Sequence, residues 1–287
     1  MTTPLRLLSI GAHPADVFDQ SGGTMAHHSS RGDYVACIVV THGARVHDTV
    51  ISEEMSHRSR IPDEEELLKL MAERSEVKTE EVRAAGRLLG FEDIFFLGED
   101  DAVLLLTDAV VRKVARLIRQ IRPDIILTHF PKEGDSLTGA HAIAGQIAVQ
   151  AAGLAGGVDP GDTTPPHRVA ATFFFGTGAA AIPSSVWSSE GGYYNDVFID
   201  ITDVVDKKLA ALDTLVSQGY GGAYARKRIE TSDGAFGNAG GVAYAEGFIS
   251  QRSQTYDYLP LSDHTLRQAA MSDHERMTIT SFRTPVD

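Results

Sequence analysis

The sequence predicts an α/β fold with three layers, in which a mostly parallel sheet lies between helices as in Rossmann-like proteins. Four short apolar runs have the composition of buried strands: residues 5–10, 34–40, 94–97 and 125–128. Helical patterns alternate with them at about 20–31, 64–89, 107–121 and 141–154. Strands that alternate with helices form βαβ units, and such sheets are parallel and covered on both faces.

The second half of the chain continues this pattern with weaker signals. A Gly/Pro-rich loop at 156–166 precedes strand-like runs at 169–175 and 197–201, and a helical segment follows at 202–217. We find no internal repeat, and 287 residues are enough to bury one large core. We therefore expect a single domain over residues 1–287.

Residues 48–71 form a polar insertion directly after the second predicted strand. The segment is rich in glutamate, including the run at 64–66, and it also contains His57, Arg58 and Arg60. It is typical of a solvated helix with a charged face. Its position also allows a second interpretation, a lid or subunit contact above a site at the strand end.

Composition excludes several classes of protein. The formal net charge of −13 argues against nucleic acid and anionic membranes as partners, because both select basic surfaces. The single cysteine, Cys37, excludes an internal disulfide framework. The sequence has no apolar run long enough to span a membrane and no signal-peptide pattern at its start. We expect a cytoplasmic protein.

The turn after the first predicted strand is the most informative segment of the chain. It reads Gly11-Ala-His-Pro-Ala-Asp16, and it places His13 and Asp16 at the carboxyl end of a strand. Open α/β sheets bind ligands at that edge. An imidazole and a carboxylate three residues apart on a tight turn can hold one divalent ion.

Two further histidines follow the strand predicted at 125–128. His129 comes directly after it, and His141 opens the next helix. The ends of parallel strands converge on one crevice, so either histidine can join His13 and Asp16 there. Two imidazoles and one carboxylate, with a position open to water or substrate, compose a catalytic zinc site.

Several segments of the first 155 residues carry motifs of a known family. The first turn resembles the Ala-His-Pro-Asp-Asp-Glu signature of the PIG-L/LmbE metal-dependent N-deacetylases. Residues 122–129 and the helix that begins near His141 resemble that family's Arg-Pro-Asp…Thr-His and His-Pro-Asp-His blocks, and residues 78–90 resemble one of its helices. The resemblance implies that His13, Asp16 and His141 hold Zn²⁺ or another divalent metal.

The departures from this pattern affect the chemistry. Ala15 stands where the family has its general base, and Thr138 stands where it has the histidine that stabilises the oxyanion. Val17 and Ala140 also replace acidic residues. A base and an oxyanion donor each contribute ~10²–10⁴-fold to such a reaction. The sequence therefore predicts a retained metal and a changed reaction.

A second set of motifs resembles the 4-oxalomesaconate hydratase branch of the same family. The run Tyr244-Ala-Glu-Gly-Phe248 matches that branch, which also has an alanine before the ligand aspartate. Residues 196–208 and the run Tyr224-Ala-Arg226 resemble its corresponding segments. The branch has glutamates near the end of the second strand, where this chain has Gly43-Ala-Arg-Val-His47. The resemblance implies a hydratase and leaves its base unassigned.

These considerations give a set of candidate site residues. A polyanionic substrate needs cationic anchors, for which Arg45 and Arg226 are candidates. Thr138 and Glu246 are further substrate-binding candidates, on the strength of the resemblance. For proton transfer we expect His47 or Asp48, and His129 is a candidate ligand or catalytic residue.

The function expected from the sequence is a metal-dependent hydratase, a lyase that adds water to a small unsaturated oxo acid. The first alternative is a zinc-dependent N-deacetylase with a different base. The second is a homologue that binds metal without turnover. The partner expected in each enzyme case is a small molecule, anionic for the hydratase. The resemblance also implies a homo-oligomer, a trimer or a hexamer.

Overall fold

The central sheet has seven strands in the part of the chain that the structure describes. The computed structural model describes residues 3–60, 62–133, 136–176 and 194–281. The strands are β1 (Arg6–Gly11), β2 (Tyr34–Thr41), β3 (Asp93–Glu99), β4 (Ile125–Thr128), β5 (Ala171–Phe175), β6 (Val197–Asp200) and β7 (Ala245–Ser250). Their order is β3-β2-β1-β4-β5-β7-β6, with β1 to β5 parallel and β7 antiparallel to both its neighbours.

Helices cover both faces of the sheet. They are α1 (Asp16–Ser30), α2 (Thr49–His57), α3 (Glu64–Leu89), α4 (Asp108–Ile121), α5 (Ala140–Ala155), α6 (Val205–Leu212), α7 (Gly222–Arg228), α8 (Gly234–Gly240), α9 (Asp263–Ala270) and α10 (Asp273–Ile279). Alternate residues of β1 serve different cores: Leu7 packs in the core with α1 and α3, and Leu8 packs in the core with α4 and α5. This alternation produces the three layers predicted from the sequence.

The predicted elements agree with the structure in the first half of the chain and deviate later. Helix α1 begins at Asp16 rather than at residue 20, because two aspartates occupy its first turn, where the helix dipole favours negative charge. The helix expected at 202–217 extends only over Val205–Leu212, and a separate 3₁₀ turn follows at Val216–Gln218. Strand β7 and helices α7 to α10 were not predicted.

The strand order places a ligand crevice at β1. The chain moves from β1 to β2 and β3 on one side, and β4 then pairs with the other side of β1. Crevices in open α/β sheets lie at such a reversal, at the carboxyl ends of the strands. The turns after β1, β2 and β4 therefore converge there.

Three further features of the fold bear on the expectations from the sequence. The single sheet takes strands from both halves of the sequence, which supports our proposal of one domain. Cys37 lies fully buried in β2, and burial raises the pKa of its thiol. None of the described helices is both long and apolar enough to cross a bilayer.

Candidate metal centre

The turn between β1 and α1 fixes the first two candidate ligands. The backbone N–H of His13 donates to Asp16 Oδ2 at 2.7 Å, and the N–H of Asp16 donates back to the His13 carbonyl at 3.2 Å. A short acidic side chain at a helix start commonly accepts such a bond. Both side chains are therefore held at the carboxyl end of β1.

The third candidate ligand comes from the first turn of α5. His13 Nδ1 lies 3.2 Å from His141 Nε2 and 3.4 Å from Asp16 Oδ2, and His141 Nε2 lies 3.7 Å from Asp16 Oδ1. Ligand atoms around one tetrahedral zinc ion are roughly 3.3 Å apart. The three residues were predicted as ligands, and the structure brings their ligand atoms within 4.8 Å of one another.

The surroundings of His141 also fit a metal. Its second ring nitrogen, Nδ1, lies 2.6 Å from Glu133 Oε1. Glu133 is itself fixed by two backbone hydrogen bonds with Ser136. Histidines that bind metals typically donate their other nitrogen to a carboxylate, which sets the ring orientation. Two imidazoles and one carboxylate suit a divalent ion with an open position for water or substrate.

Electrostatics link these groups. Burial alone would raise the pKa of Asp16, but the neighbouring histidines, His141 foremost, outweigh it and hold that pKa well below its usual range. Burial lowers the pKa of His141, whereas Asp16 and Glu133 raise it to a net value of about 10. In the metal-free protein a proton on His141 therefore partly takes the place of a cation.

His129 is a neighbour of the candidate ligands Asp16 and His141. Its Nε2 is 3.0 Å from Asp16 Oδ2 and accepts a hydrogen bond from the backbone N–H of Ala12 at 3.1 Å. Its ring stacks on that of His141, with centroids 4.5 Å apart. Burial lowers the pKa of His129, so its ring is neutral at pH 7. The His129 ring therefore packs against His141 and lies beside Asp16.

His47 projects beside the candidate metal ligands. Its ring centroid is 3.9 Å from that of His13. Its Nδ1 lies 3.4 Å from Asp101 Oδ2, and the Asp101 side chain is fully buried. Asp101 also accepts hydrogen bonds from the backbone N–H groups of Arg45, Val46 and His47. A buried carboxylate beside Nδ1 orients the ring and leaves Nε2 as the ring nitrogen that can accept a proton.

Asp48 has a different environment from the one expected for a base. Its Oδ1 accepts the backbone N–H groups of Val50 and Ile51, so it caps the start of α2. Its carboxylate also pairs with Arg74 at 3.0 Å and lies 3.3 Å from Lys78 Nζ. The Asp48 carboxylate is thus occupied by contacts within the fold, and its role in proton transfer stays a prediction.

The four predicted substrate-binding residues lie outside the cleft that the described residues form. Arg45 is half-exposed and pairs with Asp100, and Arg226 is half-exposed and pairs with Asp213. Thr138 is exposed, and its backbone N–H donates a hydrogen bond to Ser136 Oγ. The sequence does not show which acidic residue an arginine will pair with. Here Asp100 and Asp213 hold the two arginines at the surface.

Glu246 lies in the core, under α1. It forms an ion pair with the buried Lys208 at 2.8 Å, and it accepts the backbone N–H groups of Gly23 and Thr24. Asp233 completes this cluster, also 2.8 Å from Lys208 Nζ. Every oxygen of Glu246 is thus satisfied by the fold, which corrects the expectation of substrate contact.

The cleft over the candidate metal site has a volume of about 530 Å³. Its lining includes the three ligands with His47, Ala15, Val46, Asp48, Thr49, Ser52, Glu53, Ser56, Gln218, Tyr220 and Tyr224. This described lining contains no lysine or arginine. Helix α2, from the polar insertion, forms one wall, and residues 218–224 form another. Sequence reasoning missed Gln218, Tyr220 and Asp101, because each reaches the site through the tertiary fold.

Comparison with known proteins places this site in a family. Residues 8–152 match the PIG-L family, described as GlcNAc-PI de-N-acetylase. The chain belongs to the PIG-L family. The 4-oxalmesaconate hydratase of Pseudomonas putida is 26% identical over 259 residues, which cover 87% of this chain and 91% of the relative. A crystal structure of the 4-carboxy-2-hydroxymuconate hydratase from the same organism aligns with a TM-score of 0.67 and 21% identity, covering 89% of this chain and 100% of that one.

The family also contains deacetylase relatives of this chain. The 1D-myo-inositol 2-acetamido-2-deoxy-alpha-D-glucopyranoside deacetylase of Streptomyces scabiei is 27% identical over 168 residues. That match covers 52% of this chain and 49% of the relative, so the chain spans about half the length of this deacetylase. Both kinds of relative are enzymes that act on small molecules. This chain is accordingly an enzyme of the PIG-L family with a candidate His-Asp-His metal site.

Proposed function

We propose that this PIG-L enzyme is a metal-dependent hydratase that adds water to a small unsaturated oxo acid. The observation that carries the proposal is the pairing of His47 with the buried Asp101 beside the ligand His13. His47, held by Asp101, can act as the base in this chain, which has Ala15 at the position of the family's general base. Similarity to a hydratase over 91% of that relative's length supports the same choice.

The residues have distinct roles in this proposal. His13, Asp16 and His141 hold the divalent metal, most simply Zn²⁺. The bound metal supplies a Lewis acid for an oxo or carboxylate oxygen of the substrate. His47 Nε2 takes a proton from water as the water oxygen bonds to the β-carbon of the double bond. The electron pair moves toward the oxo group, and the proton then goes to the α-carbon, so that one water is added.

The lining of the cleft refines the substrate class. The described part of the lining has no cationic side chain, so the binding of a polyanion by arginines is not supported. A divalent ion beside one aspartate retains one positive charge while the histidines are neutral. That charge pairs with one carboxylate of an oxo acid, and the hydroxyl and amide groups of the lining can donate hydrogen bonds to its further carboxylates. We therefore propose a small oxo acid that places one carboxylate at the metal.

N-deacetylation is the second candidate function. The neutral, hydroxyl-rich lining of Thr49, Ser52, Ser56 and Tyr224 suits a sugar as well as an acid. His47 can activate water for attack on an amide carbon by the same proton transfer. The deacetylase relatives favour this alternative, although one of them is matched over only half its length.

The experiment compares both reactions on one zinc-loaded preparation. The hydratase substrate is 4-oxalomesaconate, followed by loss of its conjugated ultraviolet absorbance. The deacetylase substrate is an N-acetylglucosaminyl inositol, followed by acetate release. We expect hydration in the wild type, loss of hydration in Asp16→Ala and His47→Gln, and full activity in the control His57→Gln, whose exposed side chain lies on α2.

Each other outcome has a stated meaning. Acetate release faster than hydration contradicts the hydratase and favours the deacetylase. Bound zinc with neither activity on either substrate class favours a homologue without turnover. A His47→Gln variant with wild-type hydration contradicts the assignment of the base.

We also propose a homo-oligomer, a trimer or a hexamer, in the cytoplasm. Large apolar side chains near the carboxyl end support an interface, since Tyr258, Leu259 and Leu261 are 87%, 96% and 62% exposed. Light scattering after size exclusion gives the mass directly, and a monomer at micromolar concentration contradicts the proposal. Fractionation of the producing cells tests the location.

A further inference from the structure

The carboxamide of Gln218 has a defined orientation in the metal cleft. Its Oε1 accepts a hydrogen bond from the backbone N–H of Ala15 at 3.1 Å. If the amide were turned over, its N–H group would face the N–H group of Ala15, and two donors cannot hydrogen-bond to each other. The hydrogen bond therefore fixes the oxygen as the atom that faces Ala15. The amide nitrogen, Nε2, consequently points away from that backbone.

This nitrogen is buried and makes no hydrogen bond with any residue in the described ranges. Buried donors in folded proteins are nearly always paired, and an unpaired donor is unfavourable. Gln218 lines the same cleft as His13, Asp16 and His141. A donor placed there without a partner in the fold suits an oxygen atom of a ligand.

The segment that holds Gln218 is rigidly attached to the fold. Ser217, the preceding residue, donates through its backbone N–H and its Oγ to Glu81, at 3.0 and 2.6 Å. The buried Lys78 donates to the Ser217 carbonyl and Oγ. Gly219, the next residue, has a φ of 78°, which ends the 3₁₀ turn in the left-handed region. The amide is therefore held in place before any ligand arrives.

We propose that Gln218 Nε2 donates a hydrogen bond to a substrate oxygen beside the metal and so contributes to substrate selection. The proposal rests on the proposed function in one respect, because it takes the ligand to be an oxo acid. The oxygen it serves is a keto or carboxylate oxygen of that acid. An amide donor is neutral, which agrees with a lining that has no cationic side chain among the described residues.

Gln218→Glu is the sharpest test, because it keeps the acceptor for Ala15 and replaces only the donor. Gln218→Leu removes both groups, and Gln254→Glu is the control, since the exposed Gln254 lines a different cavity. Acetohydroxamate is the probe, because it is a small metal ligand with a carbonyl oxygen and its binding does not depend on which reaction the enzyme performs. Calorimetric titration of the zinc-loaded proteins measures its affinity.

We expect Gln218→Glu and Gln218→Leu to retain one zinc per chain and to bind acetohydroxamate about tenfold more weakly or worse. Gln254→Glu should bind it as the wild type does. With 4-oxalomesaconate, kcat/KM should fall by about the same factor in the two Gln218 variants.

Wild-type affinity in Gln218→Glu overturns the proposal, and so does a wild type that does not bind the probe. If Gln218→Glu does not fold, the affinity of Gln218→Leu decides, and wild-type affinity of that variant overturns the proposal. If the wild type hydrates no oxo acid but its binding of the probe still depends on Gln218, the hydratase proposal fails and the role of Gln218 stands.

Discussion

Replacing Asp101 by asparagine tests how His47 is held. The carboxylate accepts three backbone N–H groups at 2.7–3.2 Å, with His47 Nδ1 at 3.4 Å and His42 Nδ1 at 3.3 Å. Asparagine has one oxygen, so its amide nitrogen must face at least one of these donors. Leaving one buried donor unpaired costs about 1–3 kcal/mol.

The expected loss of stability is therefore about 2 kcal/mol, which lowers Tm by roughly 3 °C in a chain of this length. The catalytic effect should be larger, because the base is no longer oriented. A general base contributes ~10²–10⁴-fold, and we expect kcat for hydration to fall about 10²-fold while KM changes little.

The pH dependence of stability carries a second signature of Asp101. Burial raises its pKa, but the hydrogen bonds from His47 and the backbone outweigh that and hold the pKa well below the ordinary 3.8. A carboxylate with a lower pKa in the folded state stabilises the fold above about pH 4, and this contribution is lost as the pH falls toward the folded-state pKa. The stability difference between wild type and Asp101→Asn should therefore shrink below pH 4.

The assay combines thermal unfolding by circular dichroism, zinc content and steady-state hydration. Denaturant unfolding at pH 6, 4 and 3 measures the pH dependence. Asp100→Asn is the matched control, because Asp100 is more exposed and pairs with Arg45 at the surface. It should change stability by about 1 kcal/mol or less and leave kcat unchanged. A folded, zinc-loaded Asp101→Asn with wild-type kcat would refute the reasoning.

Three further predictions follow from the ion pairs and the packing. The metal-free protein should lose stability as the pH rises from about 6.5 to 10, because folding raises the pKa of His141 to about 10. Denaturant unfolding at several pH values measures this loss, and a free energy of unfolding that does not change with pH contradicts it. Lys208→Met leaves the carboxylates of Glu246 and Asp233 buried without a cation. The free energy of unfolding in urea should therefore fall by about 3–5 kcal/mol, and a fall below about 1 kcal/mol contradicts the role of Lys208. Gly145→Ala places a Cβ in steric conflict with the backbone carbonyl oxygen of His129 and should destabilise the protein. Gly153→Ala on the same helix meets nothing within 4 Å and should be neutral or stabilising, and equal Tm values of the two variants contradict this.

The sequence was most informative where structure depends on neighbouring residues. Strands β1, β2 and β4 follow from apolar runs, and the His13 and Asp16 turn follows from a strand that meets a helix. Strand β7 was missed because it inserts between β5 and β6, and its antiparallel pairing has no local signal. Residues 48–71, predicted from their composition as a polar insertion, form α2, which lines the cleft, and the start of α3.

Within the site, the sequence did not predict which residues pair across long distances along the chain. Asp101 reaches His47 from 54 residues away, and Gln218 reaches Ala15 from 203 residues away. Neither pairing has a characteristic spacing. Arg226 was a reasonable candidate by charge, but its neighbour Asp213 holds it at the surface. Charge alone did not show where these arginines point, whereas the turn after β1 placed the candidate ligands His13 and Asp16 together.

The central claim is that the metal and His47 together add water to an oxo acid. One measurement tests it most directly: the ultraviolet absorbance of 4-oxalomesaconate during incubation with the metal-free protein, before and after one equivalent of Zn²⁺. The proposal predicts that absorbance falls only after zinc is added and that His47→Gln slows the fall about 10²-fold or more. Unchanged absorbance with zinc bound at one ion per chain would contradict the claim.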